Sequence, residues 1–455
     1  MGKLSFYFFL SKIVPAASGL LQITFLLRGL GIEGYGTFAL LLSIASIISV
    51  FFLQWIQKAM LRFVSEGRTH EAALATYQLI LSLCIFVLAS VGEFLSPGRY
   101  VFVCGVLALA ISMKEFVLEK LRAQAKVKLY GYLYGASSLC LMGLAYLTTV
   151  LDISISCFVY IWALINFLFG FPFVLHLSRA GFRESSIDNF RELFCYGFPL
   201  ALSGAIGQIY FSGVRIFIGY WYGAYEAGVY SAVYDLVQRS MVVYMQVINS
   251  ASFPLIRRCW DSGRRDDVER LLRSNFFLLV YPTTFWLIFV YLSWPYLNDF
   301  LSLGELQGYA ELVLMIGLGV LLNRLKTFHI DYVFHLSISP REVLFNALVS
   351  SFSLIILLFV FARQSDLQGV SIIVSFSYFL GLLLALKRAI KIFPSVINLV
   401  DLTIYFFIVI SSYSVSMLWE GQVLLKVVSL VLVFIMSFSA MYRVRYKPLF
   451  SLLKG

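Results

Sequence analysis

Arg28-Gly-Leu-Gly31-Ile-Glu33-Gly-Tyr-Gly36-Thr-Phe38 and Tyr222-Gly223-Ala-Tyr-Glu226-Ala-Gly228-Val-Tyr230 carry one pattern. Each reads glycine, four residues, glycine, one residue, then an aromatic ring. Other marks recur in the same order. Pro15 and Ser18-Gly19 precede the first copy, as Pro199 and Ser203-Gly204 precede the second. Gly67-Arg68 closes the next polar loop after one copy, and Gly263-Arg264 after the other. A single glycine-rich turn says little, but several marks in one order read as an internal duplication.

What is duplicated is strongly apolar. The chain has 455 residues, 60% hydrophobic and 13% charged, with a mean hydropathy of +0.88. Soluble domains carry about 25% charged residues, so most of this surface needs lipid as its solvent. A bilayer core needs about 20 apolar residues per helix, and such stretches run from end to end. They fall at about 5–27, 36–56, 77–95, 100–118, 129–150 and 156–177, then 194–218, 229–251, 275–297, 307–328, 343–363 and 369–386. Two more follow at about 400–418 and 423–442. The first does not read as a signal peptide: it is long, no small-residue cleavage site follows, and another span comes directly after it.

The fold expected is an all-α polytopic membrane protein of about 14 transmembrane helices. Residues 1–177 form an N-terminal six-helix bundle and 194–390 a C-terminal one, joined by a cytoplasmic linker at 178–193. Residues 391–455 hold two extra transmembrane helices and a basic cytoplasmic tail. Six is even, so both copies insert with the same orientation, related by a pseudo-two-fold axis along the membrane normal. Two such bundles leave a cleft between them, the architecture of an alternating-access transporter.

Lysine and arginine set the orientation. With the N-terminus in the cytoplasm, one face gathers Lys58, Arg62, Arg68, Lys120, Arg122, Lys126, Lys128, Arg179, Arg183 and Arg191. The same face takes Arg257, Arg258, Arg264, Arg265, Arg270, Arg273, Arg341, Lys387, Arg388, Lys391 and the tail's Arg443, Arg445, Lys447 and Lys454. The opposite face has Arg28, Arg99 and Arg363. Both termini are therefore expected in the cytoplasm. The net charge of +11 is a matter of anionic headgroups, not of nucleic acid. Asp266-Asp-Val-Glu-Arg-Leu-Leu reads as a short amphipathic surface helix.

Enzymatic and metal chemistry find no footing. The six cysteines lack Cys-x-x-Cys spacing and nearly all lie in apolar stretches, where cysteine acts as a small hydrophobe. His70, His176, His329 and His335 lack metal-site spacing. There is no phosphate-cradling glycine loop and no nucleophile motif, so ATP hydrolysis is not indicated. The outer loops, such as 151–155 and 364–368, are mere turns, too short for a catalytic domain. Neither a metal nor an organic cofactor is expected.

Ionisable groups inside a bilayer are costly and mark pathways or pairs. Arg215 lies in the outer half of span seven; Asp235 and, one turn deeper, Arg239 lie in span eight. One reading is a self-neutralised Asp235–Arg239 pair on one helix face. The other is a pair of cavity cations, Arg215 and Arg239, with one carboxylate between them, suited to a diphosphate. Arg324 and Lys326 near the cytoplasmic end of span ten either snorkel to headgroups or form an entry point for phosphates. Lys12 stands beside Pro15, where a broken helix would open toward the cleft; Arg28 stands at the outer rim, exposed or lining the exit. Asp235 and Glu311 are the candidates for coupling to H+ or Na+, unless the membrane potential alone drives an anion outward. Tyr210, Tyr234 and Tyr244 fall on cleft spans and are candidates to stack on sugars.

The chain resembles a known family at the Gly-x4-Gly-x-aromatic turns, at Ala123-Gln124-x-Lys126-x3-Tyr130 and at Tyr196-Gly-Phe-Pro199. These are similar to the Wzx-type polysaccharide (O-antigen) flippases of the multidrug/oligosaccharidyl-lipid/polysaccharide superfamily, over about residues 1–390. The final pair of spans resembles instead the fourteen-span arrangement of the lipid II flippase branch. The resemblance implies a non-enzymatic flippase of a bacterial inner membrane, moving an undecaprenyl-diphosphate-linked oligosaccharide to the outer leaflet through a cationic cleft. It implies a polysaccharide polymerase and a chain-length regulator as partners in lipopolysaccharide or other surface-polysaccharide synthesis. Lipid II flippase and multidrug-type cation-coupled antiporter are the alternatives. Intramembrane cations outnumber carboxylates, which disfavours a pump for organic cations.

Overall fold

A computed structural model describes residues 2–65, 70–96, 98, 100–181, 187–301, 304–337, 340–361, 363, 365–396, 431 and 435. Among these residues there is no strand. The helices are α1 (Gly2–Phe52), α2 (Gln54–Ser65), α3 (Glu71–Leu95), α4 (Val101–Ala123), α5 (Val127–Val150), α6 (Ile155–Gly181) and α7 (Ile187–Gln208). They continue as α8 (Val214–Tyr222), α9 (Ala224–Asp261), α10 (Arg265–Leu301), α11 (Ala310–Leu325), α12 (Asp331–Leu336), α13 (Pro340–Phe361) and α14 (Leu367–Ile392). Ten stretches of these are long and apolar enough to cross a membrane. One of the ten, Ile13–Phe52, is interrupted at Gly31 and holds the first two expected spans. The expected eighth span, α9, is not among the ten; Asp235, Gln238, Arg239, Gln246 and Asn249 make it too polar. The two spans expected at 400–418 and 423–442 lie outside the described residues, apart from isolated positions.

The first glycines of the two copies share one backbone conformation. Gly31 has φ 70° and ψ 175°, and Gly223 has φ 95° and ψ 175°. That corner of conformational space is open essentially to glycine alone. The second glycines of the two copies lie against each other. A Cβ on Gly36 would strike the Ala224 carbonyl and the Gly228 backbone; one on Gly228 would strike the Ile32 carbonyl. The aromatic that ends each copy is buried, Phe38 at 4% and Tyr230 at 2% exposure. Helices in lipid gain little from hydrophobic transfer and associate by close packing, which small residues permit.

The chain divides into two compact units, Met1–Ala232 and Val233–Gly455. The boundary falls inside α9, whereas the division expected from the repeat was the linker at 178–193. In the first unit α1 packs on α5, α4 and α7, α4 on α6 and α3, and α2 on α7. Its core joins Trp55, Met60 and Phe63 of α2 to Leu74 of α3, Phe116 of α4 and Leu193 of α7. In the second unit α14 packs on α11 and α13, and α10 on α11. Large exposed apolar side chains such as Leu83, Leu88, Phe94, Phe352 and Phe359 suit a lipid-facing surface.

Two expectations fail. Pro15 does not break its helix: α1 is continuous through it, and Gly31 is its only non-helical residue. The polar run from Asp266 is not a separate surface helix but the start of α10. Only residues 262–264 separate α9 from α10, so both helices project beyond the apolar stretch. Ile256, Val268, Leu272, Tyr332 and Leu336 pack there into a small buried cluster. Arg265 lies over the Trp260 ring, 3.6 Å from its centroid. Those contacts hold the projection in helical form.

Candidate functional site

Two of the resembling motifs, Ala123–Tyr130 and Tyr196–Pro199, lie at the end of the first unit where α2 packs on α4 and α7. Gln124 donates to the Glu71 carboxylate at 2.5 Å, and Lys120 forms a 2.8 Å ion pair with the same residue. Ala125, between Gln124 and Lys126, takes the left-handed conformation with φ 53°, and α5 starts at once. Inside α7, Tyr196 receives the Arg62 guanidinium over its ring at 4.4 Å. Gly197 lies against the Trp55 carbonyl, and Phe198 stacks on Phe194 at 4.8 Å. Arginine and lysine thus gather at this end, here termed the basic face.

The predicted charges distribute over both units. In the first, Arg215 opens the last helical piece of span seven and is half-buried. It follows a π-helical turn, Ile209–Gly213, a distortion frequent at functional sites. Tyr210 is in that turn and is buried. Arg28 is exposed beside the Gly31 break, and the side chain of Lys12 lies outside the described residues.

In the second unit, Asp235 is 9% exposed, Tyr234 is buried and Arg239 is half-buried. Counted along the helices from Gly223, Arg215 stands about 12 Å away, Asp235 about 18 Å and Arg239 about 24 Å. Among the described residues Arg239 has neither a hydrogen bond nor an ion pair. The self-neutralised Asp235–Arg239 pair is therefore not formed. Tyr244 is partly exposed and donates to the Leu278 carbonyl at 3.1 Å.

Lys326 departs from both of its readings. It neither snorkels nor stands open: its ammonium pairs with Asp331 at 2.9 Å, with side-chain exposures of 11% and 5%. Arg324 is half-buried, 5.7 Å from the centroid of Phe328. Glu311, in the first turn of α11, is exposed, a solvated end rather than a buried carrier. Beside the Lys326 pair is a knot that sequence reading missed. Fully buried His329 meets the Val396 carbonyl at 2.8 Å through Nε2 and the Asn275 amide at 3.3 Å through Nδ1. Asn275 donates to the Phe328 carbonyl at 2.9 Å. These contacts favour the neutral ring with its proton on Nε2. Lys114 and Glu115 of α4 were also missed. No group of three or more His, Cys, Asp or Glu able to hold a metal occurs among the described residues.

A family model described as polysaccharide biosynthesis protein matches residues 1–260, more than half of the chain. The chain belongs to the polysaccharide biosynthesis protein family. No curated protein matches it in sequence. Among solved structures it is similar to the lipid II flippase MurJ in an inward closed conformation. That match has TM-score 0.72 and 15% identity, over 96% of this chain and 98% of that one. It is similar to an inward-facing multidrug resistance MATE transporter of the MOP superfamily, at TM-score 0.59 and 14% identity over 84% of this chain and 98% of that one. It is also similar to a ligand complex of the MATE multidrug transporter DinF-BH, at TM-score 0.56 and 14% identity over 87% and 95%. The all-helical polytopic fold expected from the sequence is thus the fold observed, and the family is the one its motifs resemble.

Proposed function

We propose that this polysaccharide biosynthesis protein is a flippase. It carries an undecaprenyl-diphosphate-linked oligosaccharide, an O-antigen or other surface-polysaccharide repeat unit, from the cytoplasmic to the outer leaflet of a bacterial inner membrane. The observation that carries the reading is Arg239: a half-buried guanidinium deep in α9, without a counter-ion among the described residues, in the most polar of the expected spans. A diphosphate supplies the missing charge, and a guanidinium fork matches its oxygens. Arg215, following the π-turn, is the second cation of this reading. Tyr210 in that turn and Tyr234 in α9 are the rings for sugar contact. The basic face is the cytoplasmic one, where the lipid-linked unit is made, and alternating access moves the headgroup across. A polymerase and a chain-length regulator would take up the product.

Arg239→Ala and Arg215→Ala should each lower surface glycan display at least tenfold while membrane abundance stays at wild-type level. Arg239→Lys keeps the charge but not the fork and should fall between. Wild-type display in both alanine variants would overturn the assignment.

A further inference from the structure

Lys114 and Glu115 lie inside α4, about 12 Å along the helix from its end at the basic face. Lys114 is buried, at 9% exposure. Its ammonium donates to Oδ1 of Asn166 on α6 at 2.6 Å. Asn166 is itself fully buried and donates its amide to the Trp162 carbonyl at 2.8 Å, which fixes its oxygen toward the lysine. The two helices approach closely here because Gly170 lies on the Met113–Lys114 backbone, where a Cβ would collide. Lysine in a bilayer interior is expensive; this one has a neutral amide and no carboxylate in hydrogen-bond contact among the described residues.

Glu115 is half-buried and has no hydrogen bond or ion pair among the described residues. The charges that act on it are Lys114 beside it and Glu119 one turn on. From α5, Tyr130 comes within electrostatic range; α6 presents Asn166. On α3, Gln78 donates to Ser112 at 2.8 Å, and Glu71 is engaged by Lys120 at 2.8 Å. On α2, Arg62 lies over Tyr196 and Lys58 is half-buried. The described charged side chains of α1, Arg28 and Glu33, are exposed near the Gly31 break.

We propose that Glu115, with Lys114 held on Asn166 beside it, is a proton-binding site of span four. The step is proton transfer alone: a proton from water adds to a carboxylate oxygen, giving the neutral acid, and later leaves from it. No electrons move. A metal cation would ask for several oxygen ligands, whereas the one amide oxygen here is taken by the ammonium. Ionised, Glu115 offsets Lys114; protonated, it leaves the lysine's charge unbalanced and the site one charge more positive. Proton binding and the binding of an anionic headgroup are then linked, each favouring the other. This linkage rests on the flippase reading; the proton site itself does not.

The test is infrared difference spectroscopy on the full chain in phosphatidylcholine vesicles, titrated with pH in the absence of glycan. Wild type should show a carboxylic-acid band that Glu115→Gln loses. Asn166→Asp adds a negative charge beside Lys114 and should move that band's midpoint to higher pH by half a unit or more. Should Glu115→Gln fail to insert, Glu115→Asp must retain a titrating band at a shifted midpoint. A band unchanged in Glu115→Gln, or unmoved in both aspartate variants, overturns the proposal. Glycan display in Arg239→Ala tests the flippase reading separately, since the spectra involve no substrate.

Discussion

Gly31 and Gly223 show how much a single residue decides here. Both hold a backbone conformation that side-chain-bearing residues reach only under strain of about 1–3 kcal/mol. Nothing lies within 4 Å of the Cβ that either could carry, so a substitution would be strained without being crowded. Gly31→Ala and Gly223→Ala should each lower the thermal unfolding midpoint of the detergent-solubilised protein. Gly143→Ala is the control. Its site is helical and equally open, and alanine in a helix is better than glycine by up to about 1 kcal/mol, so its midpoint should hold or rise. Equal midpoints in all three variants would mean the turns are not strained. The glycine pattern was legible as a repeat. Which glycine of each copy takes the strained conformation, and that Gly36 and Gly228 meet, was not, because spacing carries no dihedral angle.

At the scale of the element, what sequence reading missed follows from helices that depart from the ideal period or outrun the apolar stretch. Lys326 looked like a cation at the rim because its partner is five residues on, and an α-helix brings i+3 and i+4 together instead. Lys326–Ile330 is a π-helical turn, and the Asp331 amide bonds to the Lys326 carbonyl. That wider turn sets Lys326 and Asp331 on one face. Lys114 and Glu115 were missed for a related reason. A span ending at 118 leaves them in its last turn, but α4 continues to Ala123 and leaves them inside. The Lys326 pair can be tested as a unit. Removing one member of a buried pair costs about 3–5 kcal/mol, while replacing both by apolar groups is often neutral. Lys326→Met should therefore unfold at a clearly lower temperature than wild type, and Lys326→Met with Asp331→Leu should recover most of the loss. A double variant no better than the single one would show that the pair is not what holds this turn.

For the whole molecule, orientation is the property on which the transport reading most depends, and it was read from charge alone. The described helices make that reading testable at two turns. Residues 151–154 join α5 to α6, and residues 262–264 join α9 to α10. The second turn is flanked by Arg257, Arg258, Arg264, Arg265, Arg270 and Arg273. An arginine at the middle of a bilayer costs about 2.5 kcal/mol or more on insertion scales, so carrying six of them across is strongly opposed. The pairs Arg257–Asp261, at 3.6 Å, and Arg273–Glu269, at 2.5 Å, do not lift that barrier, since acidic residues count little in the rule. The turn at 151–154 has Asp152 and no lysine or arginine, so nothing retains it on the basic side. A periplasm-active phosphatase fused after Asp152 should be active, and one fused after Ser262 inactive; a cytoplasm-active reporter should give the reverse. Activity of the phosphatase at Ser262 would place the arginine-flanked turn outside. A lipid-linked substrate made in the cytoplasm would then first meet the face with few cations, and the outward direction proposed for transport would fall with it.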